Sequence, residues 1–499
     1  MYDVAISAPQ GATSLFRRAV GPRPKWRVRS MALLFAVAVG ATQLLAGCGL
    51  LGEPTVVVNV GYQSKTINTV NAGTLLRDRG DFENALKALG ASNHKKYRVV
   101  WQDFASGAPL TAQMIATHVD IGSMGDYPLL TNGSKTKKYS DAATEMIAVT
   151  GYNLRGSLNQ VVVRSDSTAH TLADLVGRKA STSLGSAGDG MFSTALQRNG
   201  IVKNSVHIVN QDPSVGASAI DGKQVDALAQ FVPWPQLVIY RNQGRLLYDG
   251  GDNEVPTFHG VVVRRQFADS QPEVMAAFMR AMKATTDYII ANPLKAALRV
   301  GELTGIEPEV VYLYNGPNGL VTFDMTLKKQ FLAAFQQIKD FLVARGSVNR
   351  DFEISTFVND SYLRQLSGTD YERRRDEVAN PTALSGIDDL CQQPVDDPAQ
   401  ASELWVRGAV QTTAAATPTC LLRRVAGTKS VRVSYVPDTF TAVRIFADHA
   451  VWLYDPVAPP IQRYKPFATA EGASVYRRQH PQSSAITYPA AVARSLATG

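Results

Sequence analysis

The stretch "VDIGSMGDYPLL", Val119 to Leu130, decides how the rest of the chain is read. Alternating apolar residues run into Gly122-Ser123-Met124-Gly125-Asp126, and Tyr127-Pro128 then opens a second apolar run. That order predicts a strand ending in a small, polar, glycine-bracketed turn that passes directly into a helix. Such a turn sets free backbone N–H groups at the start of a helix, where the helix dipole favours negative charge.

The flanking sequence repeats the alternation. "PTVVVNVGYQ" (Pro54 to Gln63) reads as a buried strand, and "TLLRDRGDFENALKALG" has apolar residues at helical spacing and stops at a glycine. "YRVVWQDFAS" is a second strand, and "GAPLTAQMIATHVDIGSMGDYPLL" runs helix, strand, turn, helix. Further on, "NQVVVRSDS", "VHIVNQ", "VDALAQF" and "HGVVVRRQF" are strands separated by helical segments. One of these follows a second small-residue turn, Ser183-Leu184-Gly185-Ser186-Ala187-Gly188. Strands alternating with helices predict an α/β fold with parallel sheet. "PEVMAAFMRAMKATTDYIIANP" and "LKKQFLAAFQQIKDFLVARG" continue as helices.

Beyond about residue 365 the character changes. "RRRDEVANPTALSGIDDLCQQPVDDPAQ" is charged and turn-rich, and "QTTAAATPT" reads as linker. "KSVRVSYVPDTFTAVRIFADHAVWLYD" alternates as half-buried antiparallel strands do. These readings place a linker at 366–427, a small α+β module at 428–485 and a disordered tail at 486–499.

The 499 residues carry a formal charge of +8, which invites a nucleic-acid reading. Six basic residues (Arg17, Arg18, Arg23, Lys25, Arg27, Arg29) against Asp3 confine most of it to residues 1–47, leaving +3 for the remainder. No basic stripe interleaved with aromatics follows, so nucleic acid is excluded as a partner. The basic flank precedes "MALLFAVAVGATQLLAGC", an apolar run too short for a comfortable membrane span. Its order of basic flank, apolar run and Leu45-Ala46-Gly47-Cys48 resembles the bacterial lipoprotein signal. The resemblance implies that Cys48 receives lipid and becomes the mature N-terminus, anchoring an extracytoplasmic chain to the membrane. Cys391 and Cys420 remain, either as a disulfide or as two free thiols.

The lipobox, "VGYQ", "WQDFASGAPLTAQMIATHVDIGSMGDYPLL", "DALAQFVPWP" and "HGVVVRRQF" together resemble ABC-importer substrate-binding proteins of the aliphatic sulfonate, taurine and nitrate branch. The likeness covers about residues 55–345. It implies a two-lobed periplasmic-binding fold (type II) with two crossover strands as hinge. The first lobe is expected at 55–154 and the second at 155–258, with a return to the first and C-terminal helices at 259–365. It also implies a small anionic or zwitterionic solute in the interlobe cleft, and an ABC permease with its ATPase as partners. The solute-binding residues expected are Gln63, Ser123, Met124, Gly125, Asp126, Arg155, Ser183, Gly185, Ser186 and Trp234. Tyr62, Tyr127 and Phe231 are further aromatics near the turns, and His259 adjoins the return crossover as a structural hydrogen-bonder. Asp126 and Asp189 follow glycines inside the turns, where each either caps its helix or pairs with a ligand ammonium.

No G-x-S-x-G, H-E-x-x-H or P-loop is present, and the seven histidines show no metal spacing. The cysteine-rich motif of the thiamine-pyrimidine synthase, an enzyme of the same fold, is absent. No catalysis, cofactor or metal is expected. Two alternatives stay open: a solute sensor or metal-linked maturation lipoprotein using the C-terminal module, and an enzyme on the same fold. "YVPDTFTAVRIFADHAVWLYD" with "KPFATAEGASVYRRQH" faintly resembles copper-binding lipoproteins of the nitrous-oxide-reductase accessory type. Their Cys-x-x-Met ligands are missing, since Cys420 is followed by Leu421, Leu422 and Arg423, so no metal site is carried over.

Overall fold

The computed structural model describes residues 55–496, the Lys203 side chain excepted; the leader and Cys48 lie outside it. Ten strands form two sheets of the same plan. The first holds β1 (Thr55–Tyr62), β2 (Lys96–Asp103), β3 (Ile121–Gly125), β4 (Thr144–Asn153) and, after an excursion, β10 (Thr257–Arg264). Its order is β2-β1-β3-β10-β4, with β1 parallel to β2 and β3 and with β10 antiparallel to β3 and β4. The excursion builds the second sheet from β5 (Asn159–Arg164), β6 (Lys179–Thr182), β7 (His207–Asn210), β8 (Ala227–Phe231) and β9 (Gly244–Asp249). Its order is β7-β6-β8-β5-β9, with β6 parallel to its neighbours and β5 antiparallel. Central β3 and β8 are buried along their whole length, as strands covered on both faces must be. This is the two-lobed α/β fold.

The chain crosses between lobes twice, from β4 to β5 and from β9 to β10. Asn153 Oδ1 shapes the first crossing by accepting from the backbone N–H groups of Arg155, Gly156 and Ser157 (3.0, 2.9 and 3.1 Å). The crossings touch at Gly156, whose φ is +112°. A side-chain carbon there would lie 2.7 Å from the Val255 carbonyl oxygen and 2.9 Å from that of Gly250. Only glycine fits both the backbone conformation and the space.

Helix Pro272–Ala291 returns along the first lobe, where Phe278 meets Phe82 edge to face at 5.3 Å. Helix Pro293–Thr304 is held to that lobe by Arg299 on Asp78 (2.5 and 2.9 Å). Helix Pro308–Asn315 follows, and Arg241 of the second lobe pairs with Glu307 just before it (2.7 and 3.1 Å). Each of these helices opens on proline, which is preorganised for the first helical position. Helix Lys329–Ala344 completes the return.

The C-terminal part corrects two expectations. The region read as a linker at 366–427 contains the hairpin β11 (Ile387–Asp388) and β12 (Gln393–Pro394). It also contains β13 (Ser402–Val406), β14 (Thr413–Ala415) and helix Pro418–Ala426. The small-residue tract folds because Ala415 and Ala416 are buried and β14 pairs with β13. Thr417 then caps the helix by accepting from Cys420 N at 3.2 Å. The expected tail at 486–499 completes β19 at Ile486 and contains helix Tyr488–Ser495, with Ala491 buried.

The module therefore spans about residues 387–495 and contains a repeat. β13, β14, helix Pro418–Ala426 and β15 (Val431–Pro437) form the first unit, with β16 (Arg444–Phe446) added at its edge. β17 (Val451–Tyr454), β18 (Tyr464–Phe467), helix Ala470–Gln479 and β19 (Ser484–Ile486) form the second. In each unit the first strand is central, and a threonine caps the helix, Thr469 accepting from Gly472 N at 3.1 Å. Cys391 and Cys420 are joined as a disulfide that pins the β11–β12 hairpin to the first helix.

A buried ion pair organises the module. Arg444 lies 2.6 Å from Glu403, both almost wholly excluded from water, and Glu403 also accepts from the Tyr312 hydroxyl at 2.7 Å and from Thr412. Removing one charge from such a pair strands the other, at a cost of about 3–5 kcal/mol. Glu403→Ala is expected to lose about that much, and the Glu403→Leu/Arg444→Met pair distinctly less. Chemical denaturation of the three chains checks the order.

Candidate functional site

The expected first turn is strand: Gly122–Gly125 pair with β10 as part of β3, which passes directly into helix Asp126–Thr136. The end of β3 and the glycine-rich turn after β6 lie at the carboxyl ends of strands, one in each lobe, where open α/β sheets hold ligands. They meet face to face. A side-chain carbon at Gly125 would lie 3.4 Å from Ala187 Cβ of the second lobe, and 3.1 Å from the His259 ring. Two residues along, the Tyr127 ring crosses onto helix Ala187–Arg198 at Gly190. Any side chain at Gly190 would fall 2.2 Å from that ring, so this glycine is what lets the lobes close on each other.

In the first turn the side chains divide by strand alternation. Ser123 is buried and its hydroxyl has no hydrogen-bond partner. Met124 points the other way, its sulfur 3.8 Å from Thr111 Oγ1 in the lobe core, and is removed from the set of ligand candidates. Gln63 donates to the Ser123 carbonyl at 3.1 Å, so its amide N–H tethers the ends of β1 and β3 instead of facing a ligand.

Asp126 proves to be neither helix cap nor free carboxylate. Gly125 is the N-cap residue, and Asp126 is the first helical residue. Its carboxylate accepts from Tyr127 N (2.9 Å), from Thr257 Oγ1 (2.8 Å) and from Phe258 N (3.4 Å). Asn159 Nδ2 donates to Thr257 Oγ1 at 3.1 Å. The relay thus joins the first-lobe turn, the return crossover and the first strand of the second lobe. Burial pushes the Asp126 carboxyl up to about 6.

In the second turn Ser183 donates to the Gln211 carbonyl (2.7 Å) and accepts from Gln230 Nε2 (2.8 Å). Ser186 caps helix Ala187–Arg198 by accepting from Asp189 N at 3.2 Å. Asp189 reaches back to accept from Gly185 N at 3.0 Å, and Arg345 stands 3.3 Å from it. Gly185 and Ser186 line an interlobe cavity of about 390 Å³ with Tyr127, Lys135, Phe341 and Arg345. Asp189 lines it too and is paired with Arg345, so Lys135, the apolar wall and the helix N-terminus are what it offers an anion with an apolar body.

Two predicted residues stand elsewhere. Arg155 donates to the Thr441 carbonyl of the C-terminal module (3.5 Å), because the Asn153 turn directs it outward from the hinge. Trp234 is buried at the start of its helix with Lys65 Nζ 6.0 Å above its ring. It borders a separate interlobe cavity of about 330 Å³ with Lys65 and Arg241.

Sequence reading missed Arg345, Thr182, Gln230 and Asn68. Thr182 Oγ1, Gln230 Oε1 and Asn68 Oδ1 are buried without partners, as Ser123 Oγ is. Thr182 and Gln230 lie at the ends of second-lobe strands, and the Asn68 amide contacts His259 Nδ1 at 2.5 Å in the first lobe. Burial pushes the His259 imidazole down to about 3, so it is neutral. Buried polar groups are rarely left unpaired, and those at a ligand site are paired by the ligand or by water. Position at a strand end was the available signal for Thr182 and Gln230. Arg345 follows a helix and stands 156 residues from Asp189, which it joins, and carries no local signal.

Residues 132–296 match the NMT1/THI5 like family. A protein of Bacillus subtilis strain 168 named for aliphatic sulfonate binding is 21% identical over 66% of this chain and 95% of its own length. The taurine-binding periplasmic protein of Escherichia coli K12 is 28% identical over 39% of this chain and 58% of that protein. Among solved structures, the alkanesulfonate-binding protein SsuA from Xanthomonas axonopodis pv. citri, bound to MOPS, aligns with a TM-score of 0.52 at 19% identity. It covers 62% of this chain and 99% of its own. The resemblance read from the sequence therefore holds, and the two-lobed fold with it.

The Asp126 relay makes stability depend on pH. A carboxyl held up at about 6 against an ordinary 3.8 keeps its proton more tightly in the folded chain than in the unfolded one. Its contribution favours the fold at low pH and is lost as pH rises to about 6. Wild type is expected to lose about 3 kcal/mol relative to Asp126→Asn between pH 4 and 6, and nothing further above that. Urea denaturation of both chains across this range tests it, and a pH-independent difference rejects the assignment.

Proposed function

We propose that this chain is the extracytoplasmic solute-binding lipoprotein of an ABC importer. On this reading it captures a small anionic or zwitterionic solute of the sulfonate, taurine or nitrate class between its lobes and delivers it to the permease. The supporting observation is the meeting of two small-residue strand ends, one per lobe, with the Ser123 and Thr182 hydroxyls and the Gln230 Oε1 buried without a protein hydrogen-bond partner. The relatives named for sulfonate and taurine binding give the solute class.

The chemistry of capture follows from what the turns have left to offer. The protein's own carboxylates already accept from turn N–H groups, Asp189 from Gly185 and Asp126 from Tyr127. In the cavity beside the second turn a solute anion therefore meets Ser186, the start of helix Ala187–Arg198 and Lys135, with Arg345 shared with Asp189. Contacts from both lobes make the solute bind the closed form better than an open one, which is the condition for ligand-driven closure. With Cys48 lipidated, the receptor stays at the membrane surface near its permease.

Ser123 separates binding from stability. Its hydroxyl has no hydrogen-bond partner in the protein, so Ser123→Ala is expected to leave stability unchanged or slightly raised. Losing a solute contact costs about tenfold in affinity. Calorimetric titration with taurine, an alkanesulfonate and nitrate measures this; undiminished affinity for whichever solute binds wild type would remove Ser123 from the site.

Anchoring is tested apart from binding. Cys48→Ala is expected to shift the protein out of the membrane fraction or to block its processing. Normal processing with full membrane retention counts against lipidation.

A further inference from the structure

His259 does more than adjoin the return crossover. It stands on β10 directly opposite Gly125 of β3 on one side and Gly151 of β4 on the other. Directly opposed residues of antiparallel strands share a face, so two missing side chains clear the space that the imidazole fills. Ser123, two residues before Gly125 on β3, faces the same way. A side-chain carbon at Gly151 would lie 3.3 Å from the Asn68 carbonyl oxygen, so this glycine lets the buried turn Ile67–Ala72 settle against the sheet. That turn brings the Asn68 amide to His259 Nδ1 at 2.5 Å.

The other ring nitrogen is left over. An amide NH₂ group only donates, so a neutral imidazole accepts at Nδ1 and carries its proton on Nε2. Burial keeps the ring neutral. Nε2 has no hydrogen-bond partner among the described residues. It lies against Gly125, where the second lobe arrives: the place of a Gly125 side-chain carbon is 3.1 Å from Nε2 and 3.4 Å from Ala187 Cβ. Ala187 and Gly188 open helix Ala187–Arg198, and their N–H groups have no acceptor within that helix. The donors left at this corner are an imidazole N–H and a hydroxyl from the first lobe and two backbone N–H groups from the second. None carries a formal charge, and together they suit an ionised oxygen.

We propose that His259 contacts the solute, its Nε2–H donating to the oxyanion end between Gly125 and the start of helix Ala187–Arg198. The contact sets orientation: the oxyanion end lies at His259, and an ammonium end, where the solute has one, points away from it. A solute held by His259 and by the second lobe's helix at once favours the closed form. This inference rests on the solute-binding reading above and adds to it which end of the solute meets the return strand.

The test follows the imidazole nitrogens of the isotope-labelled full chain by nuclear magnetic resonance, with His259→Gln locating the signal. Without solute the spectrum is expected to show the Nε2–H tautomer, unchanged between about pH 5 and 8. Taurine, an alkanesulfonate and nitrate are then added in turn, and a solute that binds is expected to shift Nε2 and leave Nδ1 in place. This arm stands whether or not other variants fold. In calorimetric titration His259→Phe is expected to lower affinity by about tenfold to a hundredfold, and His259→Gln, which keeps an N–H donor, to recover part of the loss. An Nδ1–H tautomer, an Nε2 signal unmoved by a solute that binds, or full affinity in His259→Phe overturns the assignment and leaves the transport reading standing. A wild type that binds none of the three solutes overturns both.

Discussion

The constraint on which the two lobes depend is the one at Gly156, where the two crossovers between lobes run within touching distance of each other. With no room for a side chain, the two connections behave as one narrow joint. Hydrogen bonds fix its surroundings: Asn153 shapes the first crossing, and the Asn159–Thr257–Asp126 relay ties the second to both lobes. A joint of this kind permits rotation but resists sliding. That is why two segments 62 residues apart in sequence meet at Gly125 and Ala187.

The electrostatics of the cleft follow from that meeting. Two aspartates sit inside turns whose helix ends favour anions, and each is consumed locally. Asp189 is neutralised by Arg345 and by its own helix end. Asp126 is buried deeply enough that desolvation outweighs its three hydrogen bonds and lifts its carboxyl to about 6. Neither leaves an exposed negative charge to repel an anionic solute. The unpaired groups that remain belong to serine, threonine, asparagine and glutamine, whose small dipoles cost less to bury unpaired than a charge does.

The C-terminal module packs on helix Pro308–Asn315 and on the second lobe. Its ion pair of Arg444 and Glu403 is secured by a tyrosine from outside the module, so the core of the addition and its docking share one residue. A buried charge pair is a weak source of stability but a strong specifier of geometry where each partner must be satisfied. Here it sets the orientation in which the module meets helix Pro308–Asn315. The disulfide of Cys391 and Cys420 fits an oxidising, extracytoplasmic setting.

Sequence alone determined the strand–helix alternation and the turn Ser183–Gly188 at a strand end, because periodicity and glycine placement are local consequences of backbone geometry; the glycines at 122 and 125 proved to belong to β3. It misread the region 402–426 as linker, since a tract of alanine and threonine becomes strand and helix only when neighbours bury it, as they bury Ala415, Ala416 and Leu421. It also could not aim side chains. Met124 faces the lobe core, Gln63 holds a carbonyl, and Arg155 leaves the cleft for the module, although all three stand near the turns in sequence. Arg345 and Gln230 reach the site from distant segments. Direction and partner are set by the packing of whole lobes, which no local pattern encodes, and the tertiary structure alone decided them.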